Sequence, residues 1–311
     1  MENPQSLPLR NAWIAEARNR PGTALGLALA ASAVLWLLLA GAANVLGGAL
    51  RGASDLPLRY GMLGGLAGFA ATACGALLAL LLRDLSARTS DSLLGFAAGM
   101  MLAASSFSLL LPGIEAAAGL TGSAPLGAMT VVAGLGLGVL LMLGLDRFTP
   151  HEHQHLGPCG PGCERINRVW LFFFAITLHN LPEGMAIGVA FAQGDLRVGL
   201  PLTSAIAIQD IPEGLAVAVT LRAAGLGSLH AILGAAFSGL MEPLGTLIGL
   251  GLSSGLALAY PIGLGLAAGA MLFVVSHEVI PETHRNGHQT PATLGLMLGF
   301  AVMMVLDTSL G

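Results

Sequence analysis

Two similar stretches decide the fold of this chain: LHNLPEG at Leu178–Gly184 and IQDIPEG at Ile208–Gly214. Each places a proline and a glutamate beside two other polar side chains, in surroundings that are almost wholly apolar. An ionisable side chain inside an apolar span is costly in free energy and is retained where it serves a site. The two stretches therefore predict membrane-spanning helices that carry a polar site at mid-depth.

The composition also indicates a membrane protein. The chain has 311 residues, of which 55% are hydrophobic and only 10% are charged, whereas soluble domains have about 25% charged residues. The net charge is −4 and all 13 basic residues are arginine, so no concentrated basic face is available for nucleic acid. Three cysteines, at 74, 159 and 163, are too few and too scattered for a disulfide framework.

A helix crosses the hydrocarbon core of a bilayer in about 20 apolar residues, and nine runs of the chain are long enough. They lie near 23–48, 59–82, 92–112, 125–146, 169–193, 199–221, 229–252, 258–280 and 291–310. Gly, Pro, Ser or a charge marks the short connections between them, and only 147–168 forms a longer loop. The predicted fold class is all-α, a polytopic membrane helical bundle.

The arginine positions predict the orientation, because short cytoplasmic loops carry the excess of positive charge. With the N-terminus inside, ten arginines fall on the cytoplasmic side and three fall outside. We therefore predict a cytoplasmic tail over 1–22, an extra first span over 23–48, a core over 59–311 and an outer C-terminus. The first span could instead be a signal peptide, since Ala40-Gly41-Ala42 fits a cleavage site, but its apolar core exceeds the usual length of about 7–15 residues.

Spans five, six and seven carry seven polar side chains. Helical spacing brings His179 and Asn180 to the face of Glu183, and it brings Gln209 and Asp210 to the face of Glu213. The seven side chains are His179, Asn180, Glu183, Gln209, Asp210, Glu213 and Glu242. Four of these are carboxylates, which repel one another unless they are protonated or held by a cation, and no Arg or Lys lies in the same stretches. A divalent metal ion is the economical counter-charge. Taken alone, Asn180 or Gln209 would equally fit a hydrogen bond between packed helices.

The types of side chain and the repetition of the motif indicate which metal ions the site suits and how many it holds. One imidazole with several oxygens suits Zn²⁺ and iron, and the oxygens also suit harder ions such as Mn²⁺. Two copies of the motif, 30 residues apart, suggest two metals bridged by the equivalent Glu183 and Glu213. Pro182, Pro212 and Pro243 adjoin the three glutamates, and we expect each to kink its helix and free backbone carbonyls about one turn upstream.

The segments HNLPEG and QDIPEG resemble the signature of the ZIP family of divalent metal transporters, and the resemblance extends over roughly 60–311. It implies an eight-helix core with inverted repeats, here preceded by one extra N-terminal transmembrane helix. It also implies an elevator-like motion of one bundle against a scaffold, and a homodimer in the inner membrane of a bacterium. An inverted repeat with broken helices at the midplane is a known plan of transporters.

The resemblance further implies a binuclear metal centre. One metal would be held by His179, Glu183, Gln209 and Glu213, and the other by Asn180, Glu183, Asp210, Glu213 and Glu242. Met101 stands where the family has a methionine near the site, although it would equally serve as a core or lipid-facing residue. No cofactor is expected, since the Zn²⁺ or Cd²⁺ held there is the substrate.

Polar residues near the ends of the spans suggest a path to and from this centre. Candidate entrance residues are Glu115, which an exposed loop position explains equally well, and Asp307. An exit relay is predicted at the inner ends of spans four and eight, and the alternative is that these residues form an ordinary solvated helix end. The residues of the predicted relay are Asp146, His277, Glu278, Glu282 and His284. The predicted cytoplasmic loop contains histidines and cysteines that could capture a metal ion; alternatively, the loop is only a polar linker. These residues are His151, His153, His155, Cys159 and Cys163.

These features favour import of a divalent metal through the lipid bilayer into the cytoplasm, with Zn²⁺ and Cd²⁺ as substrates and Fe²⁺ or Mn²⁺ as further candidates. An intramembrane metallohydrolase is the alternative from another class, but the HExxH motif of zinc hydrolases is absent around His179 and Glu183. A metal-gated channel is the third possible function. A channel would show very high metal flux, whereas uptake by a carrier saturates as the metal concentration rises.

Overall fold

A computed structural model describes residues 14, 16–50, 56–81, 86–148, 151–153, 157–159, 168–223, 226–253, 256–284 and 286–310. Side chains at 38, 41–50, 151–153, 157–159, 168–176, 178, 179, 220 and 223 lie outside this description. The helices are α1 Pro21–Leu50, α2 Leu56–Leu78, α3 Ala87–Ala103, α4 Leu111–Thr121, α5 Ala124–Phe148, α6 Arg168–Phe191, α7 Leu196–Ala223, α8 Ser228–Ser238, α9 Met241–Ser253, α10 Ala259–Val274, α11 Ile280–Thr283 and α12 Gln289–Leu310. The predicted all-α polytopic bundle is confirmed.

Helical stretches overlap each of the nine predicted spans, those of α1 and α6 included. Seven stretches in the described part of the chain are also long and apolar enough to cross a membrane. They are Leu56–Leu78, Ala87–Thr121, Ala124–Phe148, Leu196–Val219, Ser228–Ser253, Ala259–Thr283 and Gln289–Leu310. The division of the chain into a tail, an extra span and a core stays a prediction.

Two spans are longer than predicted because a π-helical segment joins two α-helices in each. Ala104–Leu110 joins α3 to α4, and Val275–Val279 joins α10 to α11. A proline, Pro112 or Pro281, lies two residues after the end of each segment. Since proline has no N–H to continue an α-helical ladder, the wider π turn lets the helix pass the proline without ending. Such segments occur often at functional sites.

The prolines beside the three glutamates do not behave alike. Pro182 and Pro212 lie inside α6 and α7, which continue through them. Pro243 instead lies in the first turn of α9, because the predicted span 229–252 is interrupted between Ser238 and Met241. A missing N–H costs nothing in the first turn of a helix, so Pro243 marks a helix start where we had expected a kink.

The loop between α5 and α6 contains a short β-hairpin, which the sequence did not predict. Strand β1 His151–His153 pairs antiparallel with β2 Gly157–Cys159. In this register His151 lies opposite Cys159, and His153 lies opposite Gly157. Strand β1 also packs against α6, so the hairpin lies beside a helix that carries the polar motif.

Glycines bring helix backbones together in two separate groups. The carboxylate bundle comprises α2, α6, α7, α8 and α9, and the flanking bundle comprises α3, α4, α5, α10 and α12. In the carboxylate bundle a Cβ on Gly75 would meet the Ile211 carbonyl, and one on Gly184 would meet the backbone of Glu242. In the flanking bundle Gly138 faces the Leu266 carbonyl in the same way. Small residues let membrane helices approach closely, so each bundle is packed backbone to backbone.

Between the two bundles the contacts are of another kind. Wherever a described glycine admits the backbone of another helix, both helices belong to one bundle. At the boundary, a Cβ on Gly263 of α10 would meet only the side chains of Ser253 and Val189. Helix α1 packs on α5 of the flanking bundle and on α9 of the carboxylate bundle. The bundles therefore meet through side chains, and α1 lies across their boundary.

A buried carboxylate fixes the end of α12 to α3. Asp91 is 2% exposed, and its two oxygens accept hydrogen bonds from His288 Nδ1 at 2.8 Å and Asn286 Nδ2 at 3.0 Å. We expect Asp91→Ala to lower the free energy of unfolding by about 1–3 kcal/mol, since hydrogen bonds to charged groups contribute that much. Thermal unfolding in detergent measures the change, with His230→Ala on α8 as control. An unchanged midpoint in Asp91→Ala would contradict this role.

Candidate metal centre

The two copies of the motif meet face to face, because α6 and α7 are joined by only four residues and run in opposite directions. One carboxylate oxygen from each of Glu183, Asp210 and Glu213 lies within 4.8 Å of the other two. Asp210 and Glu213 are three residues apart on α7 and so share a helical face. Glu183 reaches them from the neighbouring helix. The convergence predicted from helical spacing is therefore present for these three residues.

An amide holds the first of these carboxylates in place. Gln209 Nε2 donates a hydrogen bond of 2.5 Å to Glu183 Oε1. Both side chains are completely buried. Gln209 Oε1 and Glu183 Oε2 receive no hydrogen bond within the described structure. The pair therefore presents two free acceptor atoms to the interior of the site.

The fourth carboxylate, Glu242, comes from the first turn of α9. Its Oε1 accepts a hydrogen bond of 2.8 Å from Thr72 Oγ1 of α2. Its carboxyl group also lies within hydrogen-bonding reach of the carboxyl group of Asp210. Two ionised carboxylates that face each other contain only acceptor atoms. Their approach requires a proton or a cation between them.

Helix α9 is also tied to α6 through its backbone. Thr246 Oγ1 lies 2.8 Å from the carbonyl of Glu242 and 3.1 Å from the carbonyl of Gly184. Gly184 follows Glu183 directly, and it admits the backbone of Glu242 at close range. The main chains that carry the two glutamates are therefore fixed relative to each other.

The site contains a concentrated set of buried acceptor atoms without donors. In the described part of the chain they are Asn180 Oδ1, Glu183 Oε2, Gln209 Oε1, Asp210 Oδ2 and Glu242 Oε2. A buried polar atom without a partner costs about 1–3 kcal/mol, and several together would cost too much for packing alone to justify. Carboxylate and amide oxygens are ligands of divalent cations. Bound divalent cations would give these oxygens the partners that the described side chains do not supply.

Two further predicted ligands have different outcomes. The backbone of His179 lies on α6, four residues before Glu183, but its side chain lies outside the described structure. Met101 is 1% exposed and belongs to the same apolar cluster as Ile206, which precedes Asp210 by four residues on α7. Met101 is thus buried in the cluster that includes this part of α7, and its role as a ligand stays a prediction.

An apolar cluster closes one side of the site. The part of α6 after Glu183, from Ala186 to Phe191, packs against Leu202, Ala205 and Ile206 of α7 and against α3 and α10. The cluster contains the completely buried Met271 and Leu264 of α10. The cluster therefore occupies the stretches of α6 and α7 that lie between the carboxylates and the α6–α7 connection.

The predicted exit residues are only partly brought together. Asp146 is 5% exposed, and its Oδ2 lies 3.9 Å from His277 Nε2 in the π segment after α10. Glu278 and Glu282 are half-buried on the same helical stretch. His284 points its Nδ1 at the Ile280 carbonyl, at 2.8 Å. Asp146 and His277 therefore lie together, while the imidazole of His284 is engaged by the backbone. An exit relay stays a prediction.

The two entrance candidates lie on different helices. Glu115 is exposed, as its alternative explanation expects, but it lies on α4 and not in a loop. Asp307 is half-buried on α12 and accepts a hydrogen bond of 2.6 Å from Ser108 Oγ in the π segment after α3. Ser108 was not singled out in the sequence, and the run Ser105-Ser106-Phe107-Ser108 before Pro112 was the signal available for it.

The loop residues are placed in part. His151, His153 and Cys159 lie on the hairpin, with His151 opposite Cys159, whereas His155 and Cys163 lie outside the described residues. The letters of HExxH do occur here, as HEHQH at 151–155. The motif needs both histidines on one helical face, and His151–His153 is a strand. These letters therefore lie outside the polar spans, and their first three residues form a strand and not a helix.

Sequence reasoning missed the contribution of α2 to the site. Thr72 binds Glu242, and Gly68 lies beside the carboxylates, where a Cβ would overlap Glu242 Oε2 and lie 3.2 Å from Asp210 Oδ2. The available signal was a threonine four residues after a glycine, which places both on one face of an apolar helix. An uncharged polar residue such as Thr72 is common in apolar helices, so the sequence alone does not mark it as part of a site.

Comparison with known proteins agrees with this arrangement. The family model described as ZIP zinc transporter matches residues 149–307, which include both copies of the motif and Glu242. The chain is 66% identical to zinc transporter ZIPB of Bordetella bronchiseptica over the whole of both chains. It is 43% identical to zinc transporter GufA of Myxococcus xanthus, over 81% of this chain and 99% of that one. It is 32% identical to human zinc transporter ZIP11, over 77% of this chain and 94% of that one. The chain belongs to the ZIP family.

Proposed function

We propose that this multi-pass membrane protein, a metal transporter and not an enzyme, imports Zn²⁺ through its carboxylate site. The observation that carries the proposal is the set of five buried oxygens without donors, which surrounds three converging carboxylates inside membrane-spanning helices. The relatives at 66% and 43% identity are named zinc transporters, which supports the choice of ion. The plasma membrane of a bacterium is the proposed location.

The centre we propose holds two ions. Glu183 and Glu213 occupy equivalent positions in the two motif copies, and their carboxylates lie within 4.8 Å of each other and of Asp210. At such spacing a single carboxylate can contribute one oxygen to each of two ions. His179, Gln209 and Asn180 complete the two ligand sets as the family resemblance implies. The oxygens also suit Cd²⁺, Fe²⁺ or Mn²⁺, which we propose as further substrates.

The proposed transport cycle moves the carboxylate bundle against the flanking bundle. Support comes from the packing, in which close backbone contacts fall inside each bundle and the boundary is formed by side chains. Shear of packed helices takes place across such boundaries. With the N-terminus inside, the apolar cluster around Ile206 and Met271 lies on the outer side of the carboxylates. We propose that this cluster closes the site to the outside, with Asp146 and His277 on the route inward.

Uptake by the purified protein in liposomes tests the function. Vesicles that contain a zinc-sensitive dye should show a rise in internal Zn²⁺ that saturates with external concentration. Vesicles with Asp210→Asn protein should show only the leak of empty vesicles. Uptake that fails to saturate at high metal concentration would favour a channel. No uptake above the leak by the unchanged protein would refute the transporter.

Zinc should also stabilise the folded protein. Because a bound cation relieves the repulsion among buried carboxylates, we expect Zn²⁺ to raise the midpoint of thermal unfolding. A ligand at 100 times its Kd stabilises by about 2.7 kcal/mol. Thermal unfolding in detergent, with a chelator and then with added Zn²⁺, measures the change. Mg²⁺ at equal concentration is the control ion, and an equal rise with both would contradict a zinc site.

A further inference from the structure

Helix α2 forms a wall of the carboxylate site although it contributes none of the four carboxylates. Thr72 is 3% exposed, and its hydroxyl lies 2.8 Å from Glu242 Oε1 and 3.3 Å from the Gly68 carbonyl. A hydroxyl has one proton to donate, so the shorter contact to the charged acceptor is the stronger one. Thr72 therefore holds one oxygen of Glu242.

Thr72 is itself held firmly on the other side. A Cβ on Gly214 of α7 would meet the Thr72 carbonyl, and one on Gly239 would lie 3.0 Å from the Thr72 Cβ. Both glycines allow the neighbouring chain to pack directly on this residue. The hydroxyl thus has a defined position relative to Glu242, which is the requirement for a residue that orients another.

The second oxygen of Glu242 is left free for a cation. Glu242 Oε2 receives no hydrogen bond among the described residues, and it occupies the space that the missing side chain of Gly68 leaves open. That space adjoins Asp210 Oδ2, the other free carboxylate oxygen on this side. Glu242 therefore presents one fully open oxygen to a metal, while the hydrogen bond from Thr72 occupies a lone pair of the other.

The number of oxygens offered bears on which ion the site prefers. Zn²⁺ takes few ligands at short distances, and four is usual, whereas larger hard cations accept both oxygens of one carboxylate. Zn²⁺ and Cd²⁺ have the same charge and a filled d shell, and Cd²⁺ is the larger. A glutamate restricted to one oxygen thus favours the smaller ion.

We propose that Thr72 is a positioning residue that keeps Glu242 monodentate and thereby favours Zn²⁺ over larger divalent ions. The inference rests on the proposed function, in which Glu242 is a ligand of the transported metal. Thr72 touches the metal ligand and not the metal. Its effect is on the discrimination between ions more than on the amount of transport.

The test compares uptake of Zn²⁺ and Cd²⁺ by the full-length protein in liposomes. Thr72→Val removes the hydroxyl with little change of shape, and Thr72→Ser keeps the hydroxyl. Thr130→Val is the matched control, because Thr130 lies on α5 and bonds only its own helix at the Leu126 carbonyl. We expect Thr72→Val to lower kcat/KM for Zn²⁺ about tenfold, the effect of losing a group that supports a ligand. For Cd²⁺ we expect a smaller loss, and for Thr72→Ser and Thr130→Val the selectivity of the unchanged protein.

A second measurement separates positioning from packing. In a Glu242→Ala background, Thr72→Val should produce no further change in the preference for Zn²⁺ over Cd²⁺, since the two residues act together. Equal losses for both ions in Thr72→Val, or a Thr72→Ser protein that behaves like Thr72→Val, would overturn the proposal. If Thr72→Val does not fold, binding of both ions to Thr72→Ser and Thr72→Ala proteins, measured by thermal unfolding, gives the same comparison. Failure of the proposed function would appear separately, as absence of uptake by the unchanged protein.

Discussion

Replacing Glu183 by Gln should reduce kcat/KM for zinc uptake more than about 100-fold, because even residues that only support a metal ligand contribute about 10–100-fold. The change keeps the size of the side chain and removes its charge. It also turns one oxygen into a donor, which then faces the Nε2 donor of Gln209 and the proposed cation. Uptake into dye-loaded liposomes measures the loss. Glu16→Gln, in the exposed pair with Arg20, is the control.

The stability of the same variant separates loss of a ligand from loss of the fold. Without metal, Glu183→Gln should unfold at the same temperature as the unchanged protein or a higher one, since a buried carboxylate near two others is repelled by them. With Zn²⁺ added, the midpoint should no longer rise. Normal zinc uptake by a well-folded Glu183→Gln protein would exclude the bridging role assigned to this residue.

Two glycines on one helix should differ sharply in their response to substitution. A Cβ on Gly138 of α5 would overlap the Leu266 carbonyl and lie 2.8 Å from Ala270 N, whereas Gly136 has nothing within 4 Å of that position. Because backbone atoms cannot move aside as a side chain does, we expect Gly138→Val to cost about 3 kcal/mol or more, at the upper end of overpacking effects. Gly136→Val should leave the stability nearly unchanged.

Thermal unfolding and the fraction of monodisperse protein after purification measure this difference. The two variants share the helix, the surrounding lipid and the chemical change, so helix propensity contributes equally to both. Equal destabilisation by the two substitutions would show that α5 and α10 are not joined at the distance described. It would also weaken the division into two bundles, since α5 belongs to the flanking one.

The charged residues of the site were predictable from the sequence, and the reason is physical. A carboxylate inside an apolar span is costly enough to mark a site by its presence, so Glu183, Asp210 and Glu213 were found together with the helices that carry them. The prediction that they converge required only the helical repeat and a short connection. Glu242 needed one further step, because nothing local shows that α9 begins beside α6.

The remaining parts of the site depend on contacts that no local pattern reveals. Thr72 is an ordinary residue for an apolar helix, and its role follows from its position across from Glu242, 170 residues later in the chain. The partner of His288 was likewise hidden, since Asp91 is 197 residues away. We had expected Pro243 to kink a continuous helix, but the helix is interrupted before Met241. The sequence could not distinguish the two cases, because a proline also fits the first turn of a helix.

The π segments have a consequence for insertions and deletions. An α-helix turns by about 100° for each residue, so the extra residue in a π turn rotates the rest of the helix by about that angle. Removing one residue from Ala104–Leu110 would replace the π pattern by an α-helical one that lacks a hydrogen bond at Pro112, with α4 turned relative to α3. The same deletion within α5 would break the alignment of Gly134 and Gly138 with α10. Elsewhere in a membrane helix, an insertion or deletion is the most disruptive kind of mutation. In the π segment of this span, a deletion of one residue instead exchanges the π hydrogen-bond pattern for the α-helical one.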